Sequence, residues 1–222
     1  MEIIEAIRSR RSIRGFKPDP VPRKVLEGIL ESCLWAPSAR NTQSWEFAIL
    51  GGKVMEEVKA RLTKLVKADA KVNPDLGNPE FPEPYLTRAE EARDHIDRHQ
   101  FPPGTEKLDE KRAEYWIRGG RFHDAPNAII VYTEKILGGR AILEGGIMAQ
   151  TIALAALPYG LGTCLMQRPV WWPDMIREML GIPESKLILL VVAIGYPNPE
   201  ARVNSYERSR EPLKTFAHWH GM

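Results

Sequence analysis

Cysteine is almost missing from this chain: Cys33 and Cys164 are the only two in 222 residues. They stand far apart and outside any Cys-x-x-Cys or zinc spacing, so neither a disulfide framework nor a cysteine-based metal site is expected. Both are read as small buried apolar side chains. Long apolar runs are lacking too; no stretch reaches the roughly 18–20 residues that span a bilayer. The opening MEIIEAIRSR carries acids where a secretory leader needs a basic end followed by an apolar stretch. The expectation is a cytoplasmic protein with no membrane segment. Charge of one sign is also scarce, since 31 Lys and Arg face 29 Asp and Glu for a net +2. A phosphate-backbone binder needs a broad basic face, so nucleic acid is not an expected partner and any anion site must be local. G-x-G-x-x-G, a Walker lysine and G-x-S-x-G are all absent, which removes a Rossmann loop, a P-loop and a nucleophile elbow.

What remains is an ordinary globular balance, 43% hydrophobic and 27% charged, in a chain long enough to bury a sizeable core. Residues 1–222 are read as one domain. Ile3, Ile4 and Ile7 share a face of a short first helix, and the apolar spacing from Val25 to Leu34 predicts a second, with Pro22 in its first turn. WEFAIL predicts a strand stopped by Gly51 and Gly52, followed by a helix over 53–70. The run VNPDLGNPEFPEPY can sit in neither a helix nor a central strand. After it, Thr87 and Glu90 form a capping box for a charged helix, and EKLDEKRAEYWIR predicts another. Residues 71–117 thus form an excursion from the core. NAIIVYT and LILLVVAIGYP predict buried strands, LGTCLM a short strand, PDMIREMLG a helix with Pro first and Gly last, and ILEGGIMAQTIALAALPYGLG a helix apolar almost all round. Helices and strands mix without strict alternation, which places the chain in the α+β class.

Chemistry-bearing residues are few. Arg8, Arg10, Arg11 and Arg14 crowd the stretch IRSRRSIRGF. They either complement a helix carboxyl end at a few tenths of a kcal/mol each or, with the Ser12 hydroxyl, grip a phosphate through planar guanidinium forks. Arg208 and Arg210 in YERSREPL form a second basic pair, equally consistent with a solvated tail. APSARNTQS is a polar loop bracketed by Trp35 and Trp45, a pattern that also suits a plain helix-to-strand connection. His95 and His99, four apart, share a helix face but lack a third ligand, and no metal site is assigned.

Taken in order, RRSIRGF (10–16), APSARNTQSWEF (36–47), DAPNAIIV (124–131), GLGTCLMQRP (160–169) and AIGYP with RSREPL (193–197 and 208–213) resemble the nitroreductase family of FMN-dependent oxidoreductases, with iodotyrosine deiodinase-like members as the nearest variant. The resemblance covers nearly the whole chain outside 71–117. It implies an intertwined homodimer with a mostly antiparallel central sheet flanked by helices and FMN at the subunit interface. Arg10, Arg11, Ser12 and Arg14 match the family's first flavin-binding segment, and Arg208 and Arg210 the basic pair that completes the phosphate site. Pro37, Ser38 and Asn41 match the loop that reaches the partner's flavin, Met166 and Gln167 the backbone near flavin N5, and Arg121 a basic residue near the pyrimidine edge. Arg168 stands where many relatives carry a glycine. The implied activity is ping-pong electron transfer from NADH or NADPH, through FMN, to a small, aromatic acceptor, with no side-chain nucleophile. The excursion resembles a lid over the flavin. The alternatives are a flavin-dependent reductive dehalogenase and a non-catalytic binder of nucleic acid or anionic partners.

Overall fold

The computed structural model describes residues 2–77 and 80–222; Asn78 and Pro79 of the proline-rich loop lie outside the described residues. The chain begins with helices α1 (Ile3–Ser9) and α2 (Arg23–Cys33), strand β1 (Glu46–Leu50) and helix α3 (Gly52–Lys67). The excursion holds α4 (Tyr85–Gln100) and α5 (Leu108–Gly120). Then follow β2 (Asn127–Glu134), α6 (Gly138–Ala155), β3 (Gly162–Met166), α7 (Pro173–Leu180) and β4 (Lys186–Gly195).

The four strands form one sheet in the order β1-β2-β4-β3, antiparallel throughout. Both faces are covered, which is why β2 and β4 read as unbroken apolar runs rather than alternating ones. Ala128 and Ile130 of β2, with Val191 and Ala193 of β4, face α3 and α7 through Met55, Leu62 and Ile176. The intervening Ile129, Val131, Val192 and Ile194 face α2 and α6 through Ile29, Met148 and Ile152. That alternation is the period of two that a pleated strand imposes. Each fully buried Ile or Leu contributes about 1.5–3 kcal/mol. Cys33 and Cys164 are buried as expected, and burial pushes the Cys33 thiol up to about 11.

By length and hydropathy alone, Lys135–Tyr159 would pass as a membrane-crossing segment. In the fold it is the central core helix, with Met148, Ala149, Ile152 and Ala153 of α6 buried against the sheet. Gly145 permits the close approach, since a Cβ there would lie 2.2 Å from Leu189 Cδ1. Two local expectations shift. Pro22 stands just before α2 instead of inside its first turn. Helix α4 starts at Tyr85, two residues ahead of the capping box, because the Pro82 carbonyl already accepts the Tyr85 N–H at 2.9 Å; Thr87 donates instead to Glu83 at 2.6 Å.

The excursion is more firmly tied down than a surface lid. Asp75 in its first loop pairs with the buried Arg177 of α7 and accepts the Ile188 N–H at 2.8 Å. Asn73 donates its backbone N–H to the Trp171 carbonyl at 2.9 Å. Helix α5 meets α3 where Gly120 packs on Val66. Helix α4 rests on the carboxyl-terminal segment: His99 Nε2 lies 3.0 Å from Ser205 Oγ, and Arg202 Nε donates to the His99 carbonyl at 3.2 Å.

Candidate functional site

Past α1 the chain runs extended alongside β3. Ser12 forms a parallel bridge with Thr163, and Ile13 donates its N–H to the Thr163 carbonyl at 2.9 Å. Gly162 makes room for this, because a Cβ there would meet Ile13 Cγ1 at 2.4 Å. An extended chain alternates its side chains, so Ile13 enters the core while Arg10 and Ser12 face the other way. Asn204 then joins the two ends of the sequence. Its Oδ1 accepts the N–H groups of Arg14 (2.9 Å) and Gly15 (3.1 Å), and its Nδ2 donates to the Gly15 carbonyl at 2.7 Å.

The two basic clusters therefore meet. Arg10 and Ser12 line one cavity, about 420 Å³ in volume, together with Arg208 and Arg210; α4 contributes Arg98 and His95 to its far wall. Among the described residues, none of these four guanidiniums has a carboxylate within 4.0 Å. Burial, and then the neighbouring Arg11, Arg210 and Arg10, hold Arg208 below the usual arginine range. Unpaired like charges brought together in this way form an anion site. Arg11, expected beside Arg10, donates instead to the Asn204 carbonyl at 2.6 Å, and Arg14 donates to the Tyr206 hydroxyl at 3.2 Å. His95 stacks against Tyr206, and His99 bonds Ser205, so the two histidines serve separate contacts.

A second cleft, about 260 Å³, opens where β3 ends. Met166 buries its side chain in the core, and Gln167 ties its amide to the Leu189 carbonyl at 2.9 Å, so the strand end offers chiefly backbone to the cleft. Arg14, Tyr115, Trp116, His123 and Arg168 form the other walls. His123 carries no signal in the sequence, yet its buried Nδ1 has no partner among the described residues. Burial, then Arg14 and Arg118, press its pKa down to about 3, so the ring is neutral at ordinary pH, with one nitrogen a donor and the other an acceptor. It sits in a turn where Phe122, His123 and Asp124 all have positive φ (65°, 51° and 60°), at about 1–2 kcal/mol each. The fully buried Phe122 and the pairing of Asp124 with Arg118 (2.8 Å) and Arg121 (2.6 Å) hold that turn. Arg121 is thus committed to Asp124 and Glu114 and does not line the cleft.

Pro37, Ser38 and Asn41 line neither cavity. Their loop is exposed at Pro37 and Asn41 and is pinned from beneath by Glu144 of α6, which accepts the Ala39 N–H and the Ser44 hydroxyl. Ser38 Oγ accepts the Gln43 N–H at 3.0 Å.

Glu91 and Glu207 also line the first cavity, but neither pairs with a guanidinium within 4.0 Å, and among the described residues no serine or cysteine of either cavity is hydrogen-bonded to a histidine there. An anion pocket and a backbone-floored cleft thus lie side by side along one strand of an antiparallel sheet. The chain belongs to the nitroreductase family, whose model matches residues 7–196. It is 30% identical to the chloronitrobenzene nitroreductase of Comamonas testosteroni over 96% of this chain and 95% of that protein. It is 29% identical to the 4-nitrobenzoate reductase of Pseudomonas putida over 97% and 94%. Its fold matches the crystal structure of the FMN-dependent nitroreductase NfnB from Mycobacterium smegmatis in complex with NADPH, with a TM-score of 0.89 and 24% identity, covering 98% of this chain and 97% of that one.

Proposed function

We propose that this protein is an FMN-dependent NAD(P)H oxidoreductase of the nitroreductase type, acting on a small aromatic acceptor. The observation that carries the proposal is the convergence of Arg10, Arg208 and Arg210, without carboxylate partners, in one cavity beside the β3 cleft. That donor set fits the phosphate of FMN. The cleft fits its ring, since the orphaned His123 Nδ1 is a buried polar atom that lacks a hydrogen-bond partner among the described residues, and Arg14 is a cation. When bound, FMN supplies reversible two-electron chemistry between NADH or NADPH and the acceptor.

The chain's own residues bind, orient and stabilise. Arg10, Ser12, Arg208 and Arg210 hold the phosphate, with Arg98 and His95 of α4 extending the same wall. Arg11 and Arg14 brace the carboxyl-terminal limb through Asn204 and Tyr206. Backbone at Met166 and Gln167 forms the floor, and the Arg14 cation offsets negative charge that gathers on the reduced ring. Arg121 acts at one remove, by fixing the Asp124 turn that carries His123. Donor and acceptor are read as taking turns at this site, in ping-pong order. The names of the relatives favour a nitroaromatic acceptor over a halogenated one.

We read residues 1–222 as one domain and place it in the cytoplasm as an intertwined homodimer. Support for the dimer comes from apolar side chains that a lone chain leaves in water: Trp35 is 91% exposed and Ile136 92%, alongside Ile3, Leu143 and Trp219. Pro37, Ser38 and Asn41 then face the partner's flavin.

Purification and an absorbance spectrum test the proposal. Flavin absorbance, bleaching with NADH or NADPH, and reoxidation by a nitroaromatic are expected, at the mass of a dimer in analytical ultracentrifugation. A colourless protein that takes up no added FMN overturns it.

A further inference from the structure

We propose that Arg168 recognises an anionic substituent on the acceptor, so that the substrates of this cleft are small aromatic compounds carrying a carboxylate or a similar anion. This rests on the reading of the β3 cleft as the flavin site.

Arg168 is a half-buried cation without a counter-charge. Its Nη1 donates to the Trp116 carbonyl at 2.7 Å, a neutral acceptor. Its Nε is buried and has no partner among the described residues, and no carboxylate there lies within 4.0 Å of it. Burial pushes its pKa down to about 10, the direction expected of a guanidinium removed from water with nothing to offset its charge. The one acid nearby, Asp124, is already engaged by Arg118 and Arg121. Trp116 lies beneath the guanidinium at 3.2 Å, so the fork is held flat rather than left to sweep through solvent.

The surroundings add to the argument. The cleft's lining contains two guanidiniums, Arg14 and Arg168, a neutral His123 and no carboxylate. Oxidised flavin has an uncharged ring and does not neutralise them. Tyr115 and Trp116 present aromatic surface beside the fork. The Trp116 carbonyl bond also closes the end of α5, but that contact uses only Nη1; Nε is closed off from solvent, and Nη2, with no hydrogen bond among the described residues, is the donor left for a ligand. A planar fork on an aromatic wall matches a carboxylate carried by an aromatic ring.

The test uses the purified holoenzyme, its flavin content measured first. Benzoate and benzamide, near-isosteres that differ in charge, are titrated by flavin difference absorbance and by calorimetry into wild type, Arg168→Gln and Arg168→Lys. Wild type is expected to bind benzoate at least about tenfold more tightly than benzamide. Arg168→Gln should bring benzoate to the benzamide level while leaving benzamide affinity and flavin content in place, and Arg168→Lys should keep part of the preference. Equal wild-type affinities overturn the proposal without recourse to any variant. An equal loss of both ligands in Arg168→Gln, or a change confined to flavin content, overturns it as well, by assigning Arg168 to α5 or to the cofactor. If the protein holds no flavin, the cofactor reading falls, and calorimetry with the same two ligands still decides the anion preference.

Discussion

Glu144, in the middle of α6, accepts the backbone N–H of Ala39 at 2.8 Å, 105 positions earlier in the chain. The same carboxylate takes the Ser44 hydroxyl, so one core acid fixes both ends of a loop in which Arg40, Asn41 and Gln43 all hold positive φ. Glu144→Ala leaves the Ala39 N–H and the Ser44 hydroxyl without their charged acceptor. It should lower unfolding stability by about 2–4 kcal/mol in urea titrations. The Ser44 bond, joined by the one from Ala39, holds the Glu144 carboxyl below the usual range. A depressed folded pKa contributes stability above the unfolded value and loses it as pH falls through the folded one. The gap between wild type and Glu144→Gln should therefore close on acidification below about pH 4; a constant gap would show that the charge is not what holds the loop.

With the cavity of Arg10, Arg208, Arg210 and Arg98 proposed as the phosphate site, FMN affinity should depend on their charge. Arg10→Ala and Arg210→Ala should each weaken FMN binding by about 10- to 100-fold, measured by quenching of FMN fluorescence, with the apo-protein still folded by circular dichroism. Arg98→Ala should weaken it less, since α4 forms the outer wall. Unchanged affinity in both Arg10→Ala and Arg210→Ala refutes the phosphate assignment.

His123 sets a pH dependence in a window of its own. Its folded pKa, about 3, is far below the ordinary histidine value of 6.5. The unfolded chain therefore takes up a proton that the folded chain refuses, and stability falls as pH drops below 6.5. The loss is about 1.4 kcal/mol per unit once below that value. Apo-protein should be about 1–2 kcal/mol less stable at pH 5 than at pH 7, and His123→Gln should flatten this part of the curve. Parallel curves for the two proteins would mean that the ring is charged or exposed in the fold.

The pair Asp75–Arg177 ties the start of the excursion to α7 with both side chains close to fully buried. Asp75→Ala leaves the Arg177 cation with only the exposed Asp174 as a charged partner, and a buried pair broken on one side costs about 3–5 kcal/mol. Chemical denaturation should show that loss. A change below 1 kcal/mol would mean that the loop is not anchored there.

The strands were legible because a sheet covered on both faces leaves residues 128–131 of β2 and 187–194 of β4 without a polar position, and α2 and α7 because their apolar spacing has a helical period. The site was legible only in part. Arg10 and Arg11 are the same residue type side by side, and only the extended path of the chain against β3 sends one to the cavity and the other to Asn204. Nothing in the excursion's composition announced that α4 would lie on residues 202–206, since His99 and Arg202 find each other only in the folded chain. His123 was hidden for a similar reason: an unpartnered ring nitrogen is a property of burial, which no motif records. Arg168 was visible only as a residue standing where relatives carry glycine.

Asn204 bears on when the protein becomes competent during its own synthesis. The proposed cofactor pocket joins residues 10–15 to residues 204–210, with contacts spanning about 190 positions. Residues 11–15 are made well before Asn204, which must then dock back on them. A chain halted before Asn204 already holds all four strands and still lacks the limb that carries Arg208 and Arg210, so the sheet alone does not make the proposed phosphate site.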